Sequence, residues 1–106
     1  MDARRETRYV KSKSVIRGSK CEATRSIFER ATSPRFPPAI QRAALRKLRM
    51  FDRAAGLTDV RAVPGNRLKR LQGKRFGQYS IRINRQWRIC FKWHYGAIDV
   101  EIVDYH

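Results

Sequence analysis

Apolar and polar residues alternate in three segments near the end of the chain, residues 77–83, 87–93 and 97–103. A period of two is the pattern of a strand with one buried face. The side predicted to be buried carries Tyr79, Ile81, Ile83, Trp87, Ile89, Phe91, Trp93, Ile98, Val100 and Ile102. Short links at residues 84–86 and 94–96 predict an antiparallel meander, with a further strand around residues 68–71.

Helical spacing of apolar residues precedes these strands. The first helix is predicted from Cys21 until just before Pro34, since a residue before proline avoids the α conformation. The second is predicted from Pro38 through about Ala55, with Gly56 as its end, and its apolar stripe is Ile40, Ala44, Leu48 and Phe51. A short strand could begin at about residue 15. The fold class predicted is α+β, with two N-terminal helices packed on a small antiparallel β-sheet.

The net charge of the chain indicates a protein that binds polyanions. The 106 residues include 25 Lys and Arg against 9 Asp and Glu, a net charge of +16. Such an excess is typical of nucleic-acid-binding proteins. Arg82, Arg88 and Lys92 fall on the outward side of the predicted strands. No apolar run approaches the roughly 20 residues of a membrane span, and no signal-peptide pattern is visible, so we expect a cytoplasmic protein with reduced cysteines.

The familiar catalytic motifs are absent from the sequence. It contains no P-loop, no dinucleotide-binding glycine pattern and no histidine pair at metal-ligand spacing, and its few scattered acids argue against a metal-dependent nuclease. Metal-free RNA cleavage by the 2′-hydroxyl needs a base, an acid and cations around the phosphate. The acid and base candidates are His94, His106, Asp99, Glu101 and Asp104. Composition and spacing therefore indicate a basic RNA-binding domain, with nuclease activity left open.

Three stretches carry a resemblance to a known family: GQYSIRINRQWRICF at residues 77–91, VEIVDYH at residues 100–106, and RFPPAIQ at residues 35–41. They resemble the HigB toxins of the RelE superfamily, the toxins of bacterial toxin–antitoxin modules. The resemblance covers residues 15–106 as one domain and leaves residues 1–14 as a basic N-terminal extension, which we expect to be flexible. It implies the RelE-like microbial RNase fold and ribosome-dependent, metal-independent mRNA cleavage that inhibits translation. It also implies a helix-turn-helix antitoxin (HigA-like), and no cofactor.

The resemblance also assigns site residues. Arg88 matches the phosphate-contacting arginine of the family's Trp-Arg pair, and Asp104, Tyr105 and His106 match its active-site terminus. We expect His106 to act as acid or base, Asp104 to share or orient that work, and Tyr105 to hydrogen-bond to or stack on a base. Gln86 stands where relatives have a polar side chain near the RNA.

Lys69 and Gln72 stand where some relatives have a histidine and a lysine. A solvated lysine is protonated at neutral pH, so Lys69 supplies a cation but is a poor base. The candidate catalytic residues are therefore Arg88, Asp104, Tyr105, His106 and Lys69, and the candidate RNA-binding residues are Arg82, Gln86, Lys92, Arg70, Gln72 and Lys74. No metal site is predicted.

Two other functions remain open at this level. One is a ribosome-binding or RNA-binding protein without catalysis, in which Lys69 and Gln72 mark lost activity. The other is a toxin of the same superfamily that poisons DNA gyrase, although those relatives lack the Asp-Tyr-His terminus. Trp87 and Trp93 are predicted to belong to the core and not to a base-stacking surface.

Overall fold

A five-stranded sheet with helices against one face forms the molecule. The computed structural model describes residues 16–17, 27 and 36–105. In chain order the elements are β1 (Ile16–Arg17), α1 (Pro38–Arg53), α2 (Leu57–Ala62), β2 (Lys69–Arg70), a 3-10 turn (Gly73–Arg75), β3 (Tyr79–Arg82), β4 (Trp87–Trp93) and β5 (Ala97–Asp104). The strand order is β1-β5-β4-β3-β2.

The α+β class and the antiparallel meander are confirmed, with two differences. Strands β2 to β5 are antiparallel, but β1 pairs with β5 in parallel, so the sheet is not wholly antiparallel. The helix α2 was not predicted. Of the first predicted helix only Ile27 is described, and it is helical and fully buried. The other residues of that helix, like the extension at residues 1–14, lie outside the described residues.

Helix α1 begins with Pro38, whose missing N–H costs nothing in a first turn. Its predicted stripe is confirmed, since all four of its members, Ile40, Ala44, Leu48 and Phe51, are buried. The prediction that Gly56 ends this helix is wrong. The helix ends at Arg53, and Gly56 adopts an extended conformation (φ −163°) directly before α2. Asp59 of α2 accepts a hydrogen bond from the Ala55 backbone N–H at 2.7 Å, which closes the turn between the helices.

The core lies between α1 and one face of the sheet. The Phe51 ring meets the Phe91 ring edge-on at 4.8 Å, and Tyr79 stacks on Phe91 at 5.9 Å. Burying such a side chain contributes about 1.5–3 kcal/mol. Trp87 and Trp93 are half-buried against this core, as predicted, and Trp87 also meets Phe36 edge-on at 5.7 Å.

A β-bulge in β5 interrupts the alternation of buried and exposed residues that was predicted for that strand. Cys90 pairs with Glu101 but Lys92 pairs with Ile98, so β5 contains one extra residue over this interval. Asp99 has a positive φ of 52°, a conformation that Asp tolerates better than most residues. As a result Ala97 is fully buried, while Ile98, which was predicted to face the core, is half-buried on the other side.

Asn66 connects the helices to the sheet. It is fully buried, its side-chain N–H donates to the Val60 carbonyl at 2.9 Å, and its side-chain oxygen accepts from the Lys47 ammonium. Its own carbonyl accepts from the Arg82 N–H at 2.7 Å. Burial, with the nearby charge of Arg46, lowers the pKa of Lys47. The side chain of this residue therefore joins α1 to α2, and its backbone carbonyl joins them to the end of β3.

We predict that Asn66→Ala lowers the free energy of unfolding by about 2–3 kcal/mol, because it leaves the Val60 carbonyl and the Lys47 ammonium without this partner. Urea denaturation measures the loss. Thr58→Ala, at an exposed position of α2, is the control and should change stability by less than about 0.5 kcal/mol. Equal stability of the two variants would contradict the role given to Asn66.

Candidate functional site

The face of the sheet turned away from α1 carries a group of cations. Directly opposite residues of antiparallel strands project to the same side, and the pairs Lys69–Ser80, Ser80–Cys90 and Arg82–Arg88 therefore share this face. Lys92 follows on β4. We call this surface, defined by Lys69, Ser80, Arg82, Arg88 and Lys92, the cationic face.

Arg88 is fixed on this face by oxygens that carry no net charge. Its Nε donates to the Ser80 hydroxyl at 2.8 Å, and its Nη2 donates to the Arg67 carbonyl at 2.8 Å and to the Ser80 carbonyl at 3.4 Å. Arg67 has a positive φ of 47°, the left-handed region that is uncommon for residues other than glycine. These bonds orient the guanidinium but leave its charge uncompensated.

Three guanidinium groups lie near one another here. Burial lowers the pKa of Arg88; Tyr105 and Cys90 oppose the shift, and the charges of Arg82 and Arg67 add to it. The described part of the chain has two ion pairs, Arg75–Glu101 and Lys92–Asp99, so within it neither Arg88 nor its two cationic neighbours is paired with a carboxylate. Like charges directly opposite each other on a sheet destabilise it, and an anion placed among them is correspondingly favoured.

The end of β5 is brought against Arg88. The Tyr105 N–H donates to the Gln86 carbonyl at 2.6 Å, and the Gln86 amide donates to both carboxylate oxygens of Asp104 at 3.2 Å. The Arg88 guanidinium carbon lies 5.8 Å from the centre of the Tyr105 ring, which is 40% exposed. His106 lies outside the described residues.

The structure thus brings together six of the predicted site residues, namely Lys69, Arg82, Gln86, Arg88, Asp104 and Tyr105. Four others, Arg70, Gln72, Lys74 and Lys92, lie apart from this group, although Lys92 belongs to the cationic face. Arg70 lies over the Tyr79 ring at 6.0 Å, on the opposite side of β2 from Lys69. Lys92 forms an ion pair with Asp99 at 3.6 Å, four residues along β4 from Arg88 or about 13 Å away. Gln72 and Lys74 are exposed in and beside the 3-10 turn.

Sequence reasoning missed the two residues that hold Arg88. Ser80 falls on the outward side by alternation, which was a usable signal, and the structure shows it fully buried beneath the Arg88 side chain. Arg67 contributes only its carbonyl, and no sequence pattern predicts its backbone conformation. Cys90, also predicted to be buried, is fully buried, and burial raises the pKa of its thiol, so the reactive thiolate is disfavoured.

The described residues contain neither a metal-binding cluster nor a membrane-spanning helix. Over residues 36–105 and the few described before them, no three His, Cys, Asp or Glu side chains come together as they would around a metal ion. No helix in the same part of the chain has the length and apolarity to cross a membrane.

The features described so far are a small basic α+β domain and an arginine fixed on one face of its sheet. Comparison with known proteins identifies the family to which this domain belongs. Residues 22–106 match the family model of the RelE-like toxin of type II toxin–antitoxin system HigB. The chain therefore belongs to the HigB family of RelE-like toxins.

Individual relatives agree with this assignment. Toxin HigB-1 of Vibrio cholerae serotype O1 is 40% identical over 70 residues, which are 66% of this chain and 74% of that protein. An uncharacterized protein of Haemophilus influenzae is 31% identical over 75 residues, 71% of this chain and 74% of its own length.

We predict that Arg82→Glu stabilises the protein. It places a carboxylate directly opposite Arg88, which replaces a repulsion by an attraction and raises the free energy of unfolding by about 1 kcal/mol. Thermal unfolding at low salt should show a rise in Tm of about 4 °C or more. Arg85→Glu, in the exposed turn between β3 and β4, controls for the general loss of positive charge. An equal rise in Tm in both variants would show that the stabilisation comes from the lower net charge and not from the pairing of residue 82 with Arg88.

Proposed function

We propose that this protein is the toxin of a type II toxin–antitoxin system and cleaves mRNA on the ribosome, without a metal ion, through attack of the RNA 2′-hydroxyl on the adjacent phosphate. The observation that carries the proposal is the position of Arg88. Its guanidinium is oriented by the neutral oxygens of Ser80 and Arg67 and lies among other cations at the end of β5. Family membership supports the toxin role.

In the proposed reaction the 2′-oxygen forms a bond to phosphorus while a base takes its proton. The bond from phosphorus to the 5′-oxygen then breaks, an acid protonates that oxygen, and the products are a 2′,3′-cyclic phosphate and a 5′-hydroxyl. Negative charge accumulates on the phosphoryl oxygens, and a guanidinium already aimed at that point stabilises it without reorganisation. Arg88 supplies this group, and Lys69 and Arg82 supply further positive charge on the same face.

The proton transfers are assigned to the end of the chain. Imidazole titrates near neutral pH, which suits His106 to act as acid or base. Asp104, which accepts hydrogen bonds from the Gln86 amide at 3.2 Å, shares the proton transfer or orients His106. Tyr105 contacts a nucleobase of the RNA. These roles extend the family resemblance at Asp104, Tyr105 and His106.

Ribosome binding is assigned in part to α1. Its exposed side carries an arginine on each successive turn, Arg42, Arg46, Arg49 and Arg53. Over about 16 Å of helix this stripe presents cations at a spacing that can follow a phosphate backbone. The proposal implies action in the cytoplasm, and a HigA-like helix-turn-helix antitoxin as the partner that restrains the toxin.

We predict that Arg88→Ala and His106→Ala each relieve growth arrest when expressed in bacteria. Removing one group that stabilises a developing oxyanion lowers the rate by about 100- to 1,000-fold. Mapping transcript 5′ ends after induction measures cleavage directly. Arg85→Ala, which changes an exposed arginine on the neighbouring turn, is the matched control and should remain toxic.

Each other outcome supports a different function. Arrest of growth with intact transcripts would indicate a ribosome-binding or RNA-binding protein without catalysis. DNA-damage signalling in place of new 5′ ends would indicate gyrase poisoning. Full toxicity of both Arg88→Ala and His106→Ala, with the parent's cleavage pattern, would refute the site.

We predict that ribosome binding weakens with salt, with a log–log slope of about −3 to −5 if four to six phosphates are neutralised. Replacing Arg42, Arg46 and Arg49 by Gln should reduce the slope by about 2 to 3, because each lost phosphate contact removes about 0.7 to 0.9. Arg61→Gln, an exposed position of α2, should leave it unchanged. Binding that does not respond to salt would contradict the electrostatic interface.

A further inference from the structure

A phenylalanine is exposed to solvent in the loop that connects β2 with β3. Phe76 is 75% exposed. Phenylalanine is among the residues most often buried, and unlike an exposed tyrosine it has no hydroxyl group to bind water. Its ring is therefore accessible to a ligand.

The loop that carries Phe76 has a defined conformation. The Phe76 N–H donates to the Gly73 carbonyl at 3.0 Å, and the N–H of Gln78 donates to the Arg75 carbonyl at 2.9 Å. Gly73 and Gly77 have φ of 65° and 94°, which a residue with a side chain adopts only with strain. Phe76 is thus directed outward by a built turn, and a platform that is already ordered loses little entropy when it binds.

Arg75 attaches this loop to the cationic face. Its guanidinium donates to the Gln78 side chain at 3.0 Å and to Glu101 at 3.4 Å. Glu101 is paired with Cys90, which lies two residues, or about 7 Å, along β4 from Arg88. The loop is therefore tied, through Arg75 and Glu101, to a position of the sheet two residues from Arg88.

The surroundings of Phe76 specify the chemistry of its ligand. No Asp or Glu occurs between Asp59 and Asp99, so every charged side chain of β2, the loop, β3 and β4 is positive, and Glu101 of β5 is the acid that reaches the loop through Arg75. Lys74 and Lys69 are exposed nearby along the chain. Aromatic side chains set among cations are the usual means of binding single-stranded nucleic acid, because the cations bind the backbone while unpaired bases stack on the rings.

We propose that Phe76 is a stacking platform for one unpaired base of the RNA whose phosphates lie on the cationic face. The inference rests on the RNA binding proposed above and adds a binding residue to it. The stacked base belongs to a nucleotide within a few positions of the phosphate at Arg88. Because a ring face accepts any base, Phe76 contributes affinity and positioning with little sequence preference.

The test measures binding of a labelled, single-stranded 2′-O-methyl RNA hexamer, which the protein cannot cleave, by fluorescence anisotropy. Phe76→Leu keeps an apolar side chain but removes the ring, and we expect affinity to fall about tenfold. The salt slope should not change, because no charge is lost. Phe76→Trp should bind at least as tightly as the parent. Tyr95→Leu, at a 92% exposed aromatic in the turn between β4 and β5, is the matched control and should bind as the parent does.

The outcomes separate this inference from the function on which it rests. Unchanged hexamer binding by Phe76→Leu, together with weakened binding by Arg88→Gln, would overturn the stacking role alone. If the parent protein bound the hexamer neither with ribosomes present nor without them, both the stacking role and the proposed RNA binding would be overturned. If Phe76→Leu bound RNA normally but lost affinity for its antitoxin, the loop would be a protein-docking site and the inference would be wrong.

Discussion

An uncompensated positive charge at Arg88 is the feature on which the candidate site depends. Ser80 and the Arg67 carbonyl orient the guanidinium without neutralising it. A carboxylate in the same position would bind the guanidinium more strongly and would also occupy the place of a phosphate. The position of the Arg67 carbonyl depends in turn on the neighbouring Asn66, which is bonded to both helices and to β3. Part of the helical layer therefore serves to fix one arginine of the sheet.

The two faces of the sheet differ in chemistry although both are partly buried. On one face α1 covers aromatic and aliphatic side chains. On the other, Ser80 and Cys90 are fully buried although no helix in the described part of the chain packs there. Arg88 covers Ser80, and Arg75, which is bonded to Glu101, lies beside Cys90. The apolar stems of such long side chains shield the surface beneath them, while their charged ends stay in water. The cations thus cover this side of the sheet and also form the proposed binding surface.

The distribution of charge explains how so basic a chain can offer more than one surface to a polyanion. The stripe on α1 and the cationic face belong to different layers, and no acid interrupts the sequence from Val60 to Ile98. Repulsion among these charges weakens the free protein, and a bound polyanion relieves it.

Sequence periodicity determined the three long strands, the buried stripe of α1 and the outward position of Arg82 and Arg88, because the repeat of apolar residues directly reports which side of an element meets the core. The resemblance supplied the grouping of Arg88 with Asp104 and Tyr105, which lie close together in the structure, while the roles of these residues and of His106 remain predictions. Only the tertiary structure decided the rest: the parallel edge strand β1, the bulge that buries Ala97 in place of Ile98, and the carbonyl that holds Arg88. Each of these depends on a backbone conformation or on contacts between distant segments, and neither leaves a periodic trace in the order of residues.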